Sequence, residues 1–375
     1  MRDVSYRARR KQPKSLTGLA ELVAREVASY PIAPLHARSG RKPIGRSFKL
    51  LTLLALIGTT FGSGFGGSQA VAASTPAEAA AKRDAGFIDL TGDFARIYDR
   101  DANLPDRQRI DKFIAEFDRL IPGFYSAKRV TDGDERRYEQ RLLRAFAKYP
   151  SQRVGIGKVS EQFRQLLGGA TADFKKAFPR YRSTVPVYLV NALGEMDGGT
   201  RDLPSGTALI FGADVIVRIH PDDRLMPLFD HELFHVYQSQ TTKIQDCDQV
   251  WCSLWVEGLA VYVAQRLNPG ATDAELLLTF PEPIRPAIDG HRGEAICTVL
   301  AKLGSRDEKD MGAMFSTGRL SPNLPPRFGY YVGYLVARDL GRSRSLETLA
   351  RLQSPALRTL IARSLANLAS CKHAA

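Results

Sequence analysis

Two histidines four residues apart, with a glutamate directly after the first, constrain this 375-residue chain more than any other feature: His231-Glu232-Leu233-Phe234-His235. Positions i and i+4 share one face of an α-helix, about a turn apart. Both imidazoles therefore reach a single point, and Glu232 stands offset beside them. Leu228, Phe229, Leu233, Val236 and Tyr237 give the same segment an apolar side, as a half-buried helix requires. Pro227 fits only in the first turn, because a deeper position costs about 3 kcal/mol. The helix thus runs from near Pro227 to about Gln240. Two imidazoles aimed at one point make a metal-ligand pair, most often for zinc, and the offset glutamate can approach water at the metal without ligating it. The competing reading is an amphipathic helix that happens to carry two histidines. Only six histidines occur in the chain, and two of them flank this glutamate, which weighs against it.

A three-ligand site that leaves a position for water needs one more protein ligand. Trp255-Val256-Glu257-Gly258-Leu259-Ala260-Val261-Tyr262 follows, with Glu257 inside an apolar helical run extending to Leu267. Trp255, Val256, Leu259, Val261 and Val263 leave little room for a carboxylate unless it is paired or metal-bound. A glutamate placed at a helix N-terminus by the dipole is the alternative. Gly258 and Ala260 are small enough to let this helix come close to the histidine helix.

Elsewhere, apolar spacing predicts helices over Ile110–Ile121, Arg136–Tyr149 with a stop at Pro150, and Val159–Phe178. Thr184–Leu193 and Thr207–Ile219 are rich in β-branched residues and read as strands, with Asp197-Gly198-Gly199 as a turn. Further helices fit Arg292–Leu303, Arg327–Leu340 and Ser354–Leu368. The expected fold class is α+β, mostly helical, with a small mixed sheet preceding the metal-binding helices. A helical N-terminal region over 84–180 leads into a domain over 181–375.

The motif and its spacing resemble the gluzincin metallopeptidases, thermolysin-like in the broad sense, and most nearly the zinc-dependent proteases of the peptidase-MA type. The matching pieces are His231-Glu232-Leu233-Phe234-His235 and, after 21 intervening residues, Glu257-Gly258-Leu259-Ala260. The resemblance covers roughly residues 184–340. It implies a zincin-like fold and one Zn2+ per chain held by His231, His235 and Glu257, with Glu232 as general base and a peptide or protein as substrate. It also implies that the strand Thr207–Ile219 serves as the edge on which an extended substrate backbone pairs. An acidic residue four places after the third ligand, which supports a zinc histidine in thermolysin, is here Val261. Asp230 is the candidate to replace it. No third histidine follows His235 in the H-x-x-G-x-x-H arrangement of the other zinc-protease branch. An electrophile for the developing oxyanion is expected in Arg327-Phe328-Gly329-Tyr330-Tyr331-Val332-Gly333-Tyr334, with Tyr330 or Tyr331 in that role. A core aromatic cluster is the other reading of these rings. His220 and His291 read as structural. A zinc-binding pseudo-enzyme or latent protease that clamps a partner is the rival function; it would be marked by loss of the base, and Glu232 is present.

The formal net charge of +13 is concentrated at one end. Residues 1–50 carry 12 Lys and Arg against three acids; the rest carries 41 against 37. A folded domain so near neutrality lacks the basic face that nucleic acid requires, so no nucleic-acid partner is expected. The basic extension (1–49) precedes Leu50–Ile57, a short apolar run, and then Ala70-Val71-Ala72, an A-x-A cleavage site, within a signal-like segment over 50–73. An Ala/Pro-rich linker follows over 74–83. The expected location is periplasmic or secreted; uncleaved, the segment would anchor the chain to a membrane with its domain outside the cytoplasm. Four cysteines remain beyond the cut, allowing up to two disulfides. Cys247–Cys252 is the most local pairing and leaves Cys297 with Cys371; free buried thiols are the alternative.

Overall fold

The computed structural model describes residues 86–220, 224–242, 244 and 247–371. The basic extension, the apolar segment with its cleavage motif, and the linker lie outside the described residues. The chain folds as an α+β protein, mostly helical, with one mixed four-stranded sheet. Its strands are β1 (Phe87–Asp89), β2 (Val187–Val190), β3 (Gly198–Leu203) and β4 (Gly206–Gly212), in the order β1-β2-β4-β3. β1, β2 and β4 run parallel, and β3 is an antiparallel edge.

Four helices precede β2: α1 (Thr91–Arg100), α2 (Asp106–Leu120), α3 (Ala127–Val130) and α4 (Glu135–Ala177). The 84–180 region therefore supplies these helices and also β1, which shares a sheet with β2. After β4 come α5 (Ala213–Ile219), α6 (Met226–Thr241), α7 (Val250–Leu267), α8 (Ile284–Gly290), α9 (Arg292–Ala301), α10 (Glu308–Phe315), α11 (Phe328–Leu340), α12 (Leu346–Ala350) and α13 (Ala356–Leu368). One hydrophobic core runs from Leu90 to Leu365. Within it, Phe163 of α4 meets Phe211 of β4 and Phe229 of α6 edge-on, at 5.0 and 4.8 Å between centroids. That contact seats the histidine helix against both the sheet and α4.

Several expected boundaries shift. Pro150 does not end a helix: α4 continues through it for 43 residues. Proline costs the ladder one N–H, but buried Tyr149, Ile156, Val159 and Phe163 lie on both sides of the break, so tertiary packing carries the helix across. The Thr207–Ile219 run is one strand and one helix, not strand throughout. Asp214 explains the change, because its carboxylate accepts the backbone N–H groups of Ala192 and Gly194 at 2.6 and 2.7 Å. These bonds draw the start of α5 onto the loop after β2, where Gly212 passes so near the Met196 carbonyl that a Cβ would lie 2.0 Å from it. β4 is consequently an inner strand. The edge belongs to β3, whose first residues, Gly198 and Gly199, the sequence presents as a turn.

A buried ionic cluster fixes this edge. Arg129 donates to both Glu195 carboxylate oxygens at 2.8 Å, and Arg201 of β3 donates from Nε at 3.0 Å. Behind the histidine helix, α7 is buried from Val250 through Ala264, the signature of a central helix rather than an amphipathic one. It starts five residues before the expected Trp255. Its first N–H groups donate to the carbonyls of Ser305 and Leu303. α11 crosses α7 with backbones in contact: a Cβ on Gly333 would lie 2.2 Å from the Leu254 carbonyl oxygen and 2.9 Å from the Gly258 Cα. Gly258 thus serves a close approach, but to α11 rather than to the histidine helix.

Cys247–Cys252 and Cys297–Cys371 are bonded, with Cα separations of 4.8 and 5.5 Å, which suits an oxidising compartment. No helix among the described residues is long and apolar enough to cross a membrane.

Two stability predictions follow from these contacts. Burial raises the Glu195 carboxyl pKa, but Arg129 and Arg201 override it and hold the group at about 2, against an ordinary 4.5. Because the folded value is depressed, the stabilisation is complete above about pH 4.5 and fades as pH falls toward 2. Glu195→Gln should lose about 3 kcal/mol at pH 7 and show a flatter loss of stability between pH 5 and 2, read from urea midpoints. Gly333→Ala should force the α7 and α11 backbones apart and cost roughly 1–3 kcal/mol in the same assay, since overpacking at backbone distance has nowhere to relax.

Candidate metal centre

Pro227 occupies the first turn of α6, where its missing N–H removes no helical bond. From there the helix carries His231 and His235 on the side facing α7, with Nε2 atoms 3.0 Å apart. Glu257 is the eighth residue of α7. It therefore stands in the middle of that helix, which removes the reading of a dipole-favoured N-terminal glutamate. Its Oε2 lies 3.6 Å from each histidine Nε2 and has no hydrogen-bond partner. The three side chains are 3%, 9% and 4% exposed for His231, His235 and Glu257.

The two carboxylate-to-imidazole distances fit a metal ion, while the imidazole nitrogens, at 3.0 Å, stand closer together than a tetrahedral site sets them. Zinc bonds to histidine nitrogen and carboxylate oxygen of about 2.0–2.2 Å, arranged tetrahedrally, put ligand atoms roughly 3.3–3.6 Å apart. The three donor atoms come together within 4.8 Å of one another. A buried carboxylate oxygen without a donor, 3.6 Å from each of two imidazole nitrogens, makes a donor set that could hold a cation.

The electrostatics favour ligation at Glu257 and His231 and oppose it at His235. Burial raises the Glu257 pKa, but the charge of His235 and the pull of both imidazoles bring it well below the carboxylate range, so the group is ionised as a ligand must be. His231 is pushed down, chiefly by burial, toward the neutral ring that ligates. His235 goes up: burial opposes its protonation, and Glu257 outweighs burial.

Glu232 is 2% exposed, with Oε2 unpartnered. Burial raises it, His235 opposes, and Asp197 and Glu257 push further, so that protein groups alone place it at about 8. The β3 edge closes over this carboxylate. A Cβ on Gly198 would lie 2.7 Å from Glu232 Cγ, Cδ and Oε1, so only glycine lets the strand approach.

The two candidate tyrosines separate. Tyr330 stands one turn before Gly333, the point of contact with α7. Burial first, then the Glu257 charge, push its phenol far above the ordinary value, so the hydroxyl keeps its proton. Tyr331 turns to Asp289, to which its hydroxyl donates at 3.0 Å, and lies under the Arg285 guanidinium. It is not with the metal residues. Asp230 also departs from its expected role: its carboxylate accepts from Asn268 Nδ2 at 2.7 Å rather than supporting a zinc histidine. Burial pushes Asp230 up to about 6.

Three neighbours escape sequence reasoning as parts of the site. His220 Nε2 lies 3.2 Å from the Asp197 carboxylate, which stands just before β3. Burial raises Asp197, but His220 and then Arg327 bring it down to about 2. Arg327 precedes α11 with its guanidinium 4.5 Å from the centre of the Tyr330 ring. Arg327 lies more than a hundred positions beyond Asp197 and His220, and no local spacing connects the three. His291 lies 3.9 Å from Glu294, apart from this group.

Elemental analysis of the purified domain should find one zinc per chain, and a His235→Ala, Glu257→Ala double variant should retain none at submicromolar free zinc. Full occupancy of the double variant would remove the site.

Comparison with protein families, curated proteins and solved structures finds no match, so a functional reading of this chain rests on its own side chains.

Proposed function

We propose that the protein is an exported zinc metallopeptidase, of the periplasm or secreted, that hydrolyses peptide or related amide bonds. The observation that carries the reading is the convergence of a two-histidine, one-carboxylate donor set with a second buried carboxylate, Glu232, that has no partner of its own. Thermolysin-like gluzincins, which the motif resembles, use the same residue types in the same roles.

His231, His235 and Glu257 would hold the zinc. When bound, it supplies a Lewis acid and brings the pKa of water toward about 7. Glu232 takes a proton from the attacking water and returns it to the leaving nitrogen as the C–N bond breaks. A protein environment that raises this carboxyl suits a group that must hold the proton between those two events. Tyr330 keeps its phenolic proton at any working pH and donates it as a hydrogen bond to the substrate oxygen. The Cys247–Cys252 and Cys297–Cys371 bonds support an oxidising location.

Glu232→Gln is the decisive variant. The amide has nearly the shape of the carboxylate, so zinc content and melting temperature should stay unchanged. It cannot accept and return a proton, so hydrolysis should fall at least about 10²–10⁴-fold, measured by peptide-library digestion. Equal cleavage by wild type and Glu232→Gln assigns the activity to something else. A fully zinc-loaded wild type that cleaves nothing favours the partner-clamping reading.

A further inference from the structure

Arg327 is a cation that the hydrolytic scheme above leaves without a task. It is 7% exposed. It adopts φ +64°, a left-handed conformation uncommon for a residue with a long side chain. The backbone is held there by its N–H, which donates to the Ala313 carbonyl at 3.0 Å. Strained backbone of this kind persists where its surroundings over-determine it, and functional sites are common places for it.

No carboxylate among the described residues lies within ion-pair distance of the guanidinium. Asp197 feels its charge, yet the carboxylate contact of Asp197 is with His220. A guanidinium buried to this degree without a salt bridge is costly in a resting protein. That cost is recovered if an anion forms beside it during turnover.

The location favours this. The ring under the guanidinium is that of Tyr330, whose hydroxyl senses the Glu257 charge. Tyr330 and Gly333 lie on one face of α11, and Gly333 touches the backbone of α7 at Leu254 and Gly258, next to the third ligand. Arg327 thus stands against the Tyr330 ring, just before the helix whose Gly333 meets α7 at Gly258, next to Glu257.

We propose that Arg327 is a second catalytic electrophile of this site, whose guanidinium donates, together with the Tyr330 hydroxyl, to the oxygen that becomes negatively charged as water adds to the scissile carbonyl. The inference rests on the peptidase reading. As the water oxygen bonds to the carbonyl carbon, the C=O π pair moves onto oxygen and the water proton passes to Glu232. The same pair returns when the C–N bond breaks and the nitrogen takes that proton. The substrate carbonyl is neutral at the start, so a cation with no carboxylate paired to it among the described residues favours the addition step over simple binding. Arginine suits the place because it is charged at every working pH and offers a planar fork of donors.

The test is calorimetric binding of a phosphinic peptide amide, a mimic of the charged intermediate, to zinc-loaded wild type, Arg327→Ala and Arg327→Lys. Zinc content and melting temperature are measured in parallel. Arg327→Ala should bind the phosphinic peptide about 100-fold more weakly. In a Glu232→Gln background, the same change should alter affinity for the matching uncharged substrate by no more than about threefold. Arg327→Lys keeps the charge without the fork and should lose roughly tenfold, which keeps the test alive if the alanine variant fails to fold. Phosphinic affinity that is unchanged in a folded, zinc-loaded variant overturns the proposal. So does a loss seen only with peptides ending in a free carboxylate, which would make Arg327 a terminal-carboxylate anchor. A wild type that neither cleaves peptides nor binds the phosphinic compound sinks the peptidase reading and this inference together; wild-type hydrolysis abolished by Glu232→Gln, with Arg327→Ala binding as wild type, removes only the inference.

Discussion

A carboxylate in the middle of a helix that is buried on every side needs positive charge at hand. Glu257 sits in such a helix and has two imidazole nitrogens 3.6 Å from its Oε2. Ionised and lacking a cation, it would carry a desolvation cost of several kcal/mol. The packing around it follows from that demand. α6 must present two histidines on one side, α7 must be covered elsewhere by apolar surface, and α11 must come close enough to seal the far side. Glycines at 258 and 333 permit that last contact. Trp251 and Trp255 of α7 itself, both below 2% exposure, complete the enclosure.

The parts of this arrangement that depend on local spacing were legible in the chain. Histidines at i and i+4 share a face whatever surrounds them, and an acidic residue among Trp255, Val256 and Leu259 is conspicuous because burial penalises charge. The mostly helical α+β class also followed from periodicity. Legibility failed where long-range contacts override local preference. Pro150 is a breaker by every local rule, yet the apolar residues on each side hold α4 together. Gly198-Gly199 has the composition of a turn; it is a strand because Glu232 leaves room for nothing larger than hydrogen at 198. The Thr207–Ile219 run has strand propensity throughout, but the Asp214 bonds to Ala192 and Gly194 fix a helix start inside it.

The tyrosine side of the candidate site was legible only as a segment. Tyr330 and Tyr331 are adjacent, and a helix turns neighbours by about 100°, so one faces α7 and the other Asp289. Which is which depends on the rotation of α11, set by Gly333 against Leu254 and Gly258. Asp197, His220 and Arg327 carry no shared motif. They meet because the sheet edge, the turn after α5 and the start of α11 converge on Glu232. The Glu195 cluster secures the same edge from below: Arg201 belongs to β3, so the ion pairs that hold the strand also hold Gly198 over Glu232.

The Cys297–Cys371 bond has a consequence beyond stability. It joins α9 to the chain just after α13, across a sequence separation of 74 residues. All of α10 and α11 lie between its two ends, Arg327 and Tyr330 among them. A single cut of the main chain anywhere in that span leaves two pieces that remain one molecule. A chain nicked there keeps its α11 tethered to α7 and its neighbours. Gel mobility under non-reducing conditions would then report an intact protein where reduction reveals a clipped one.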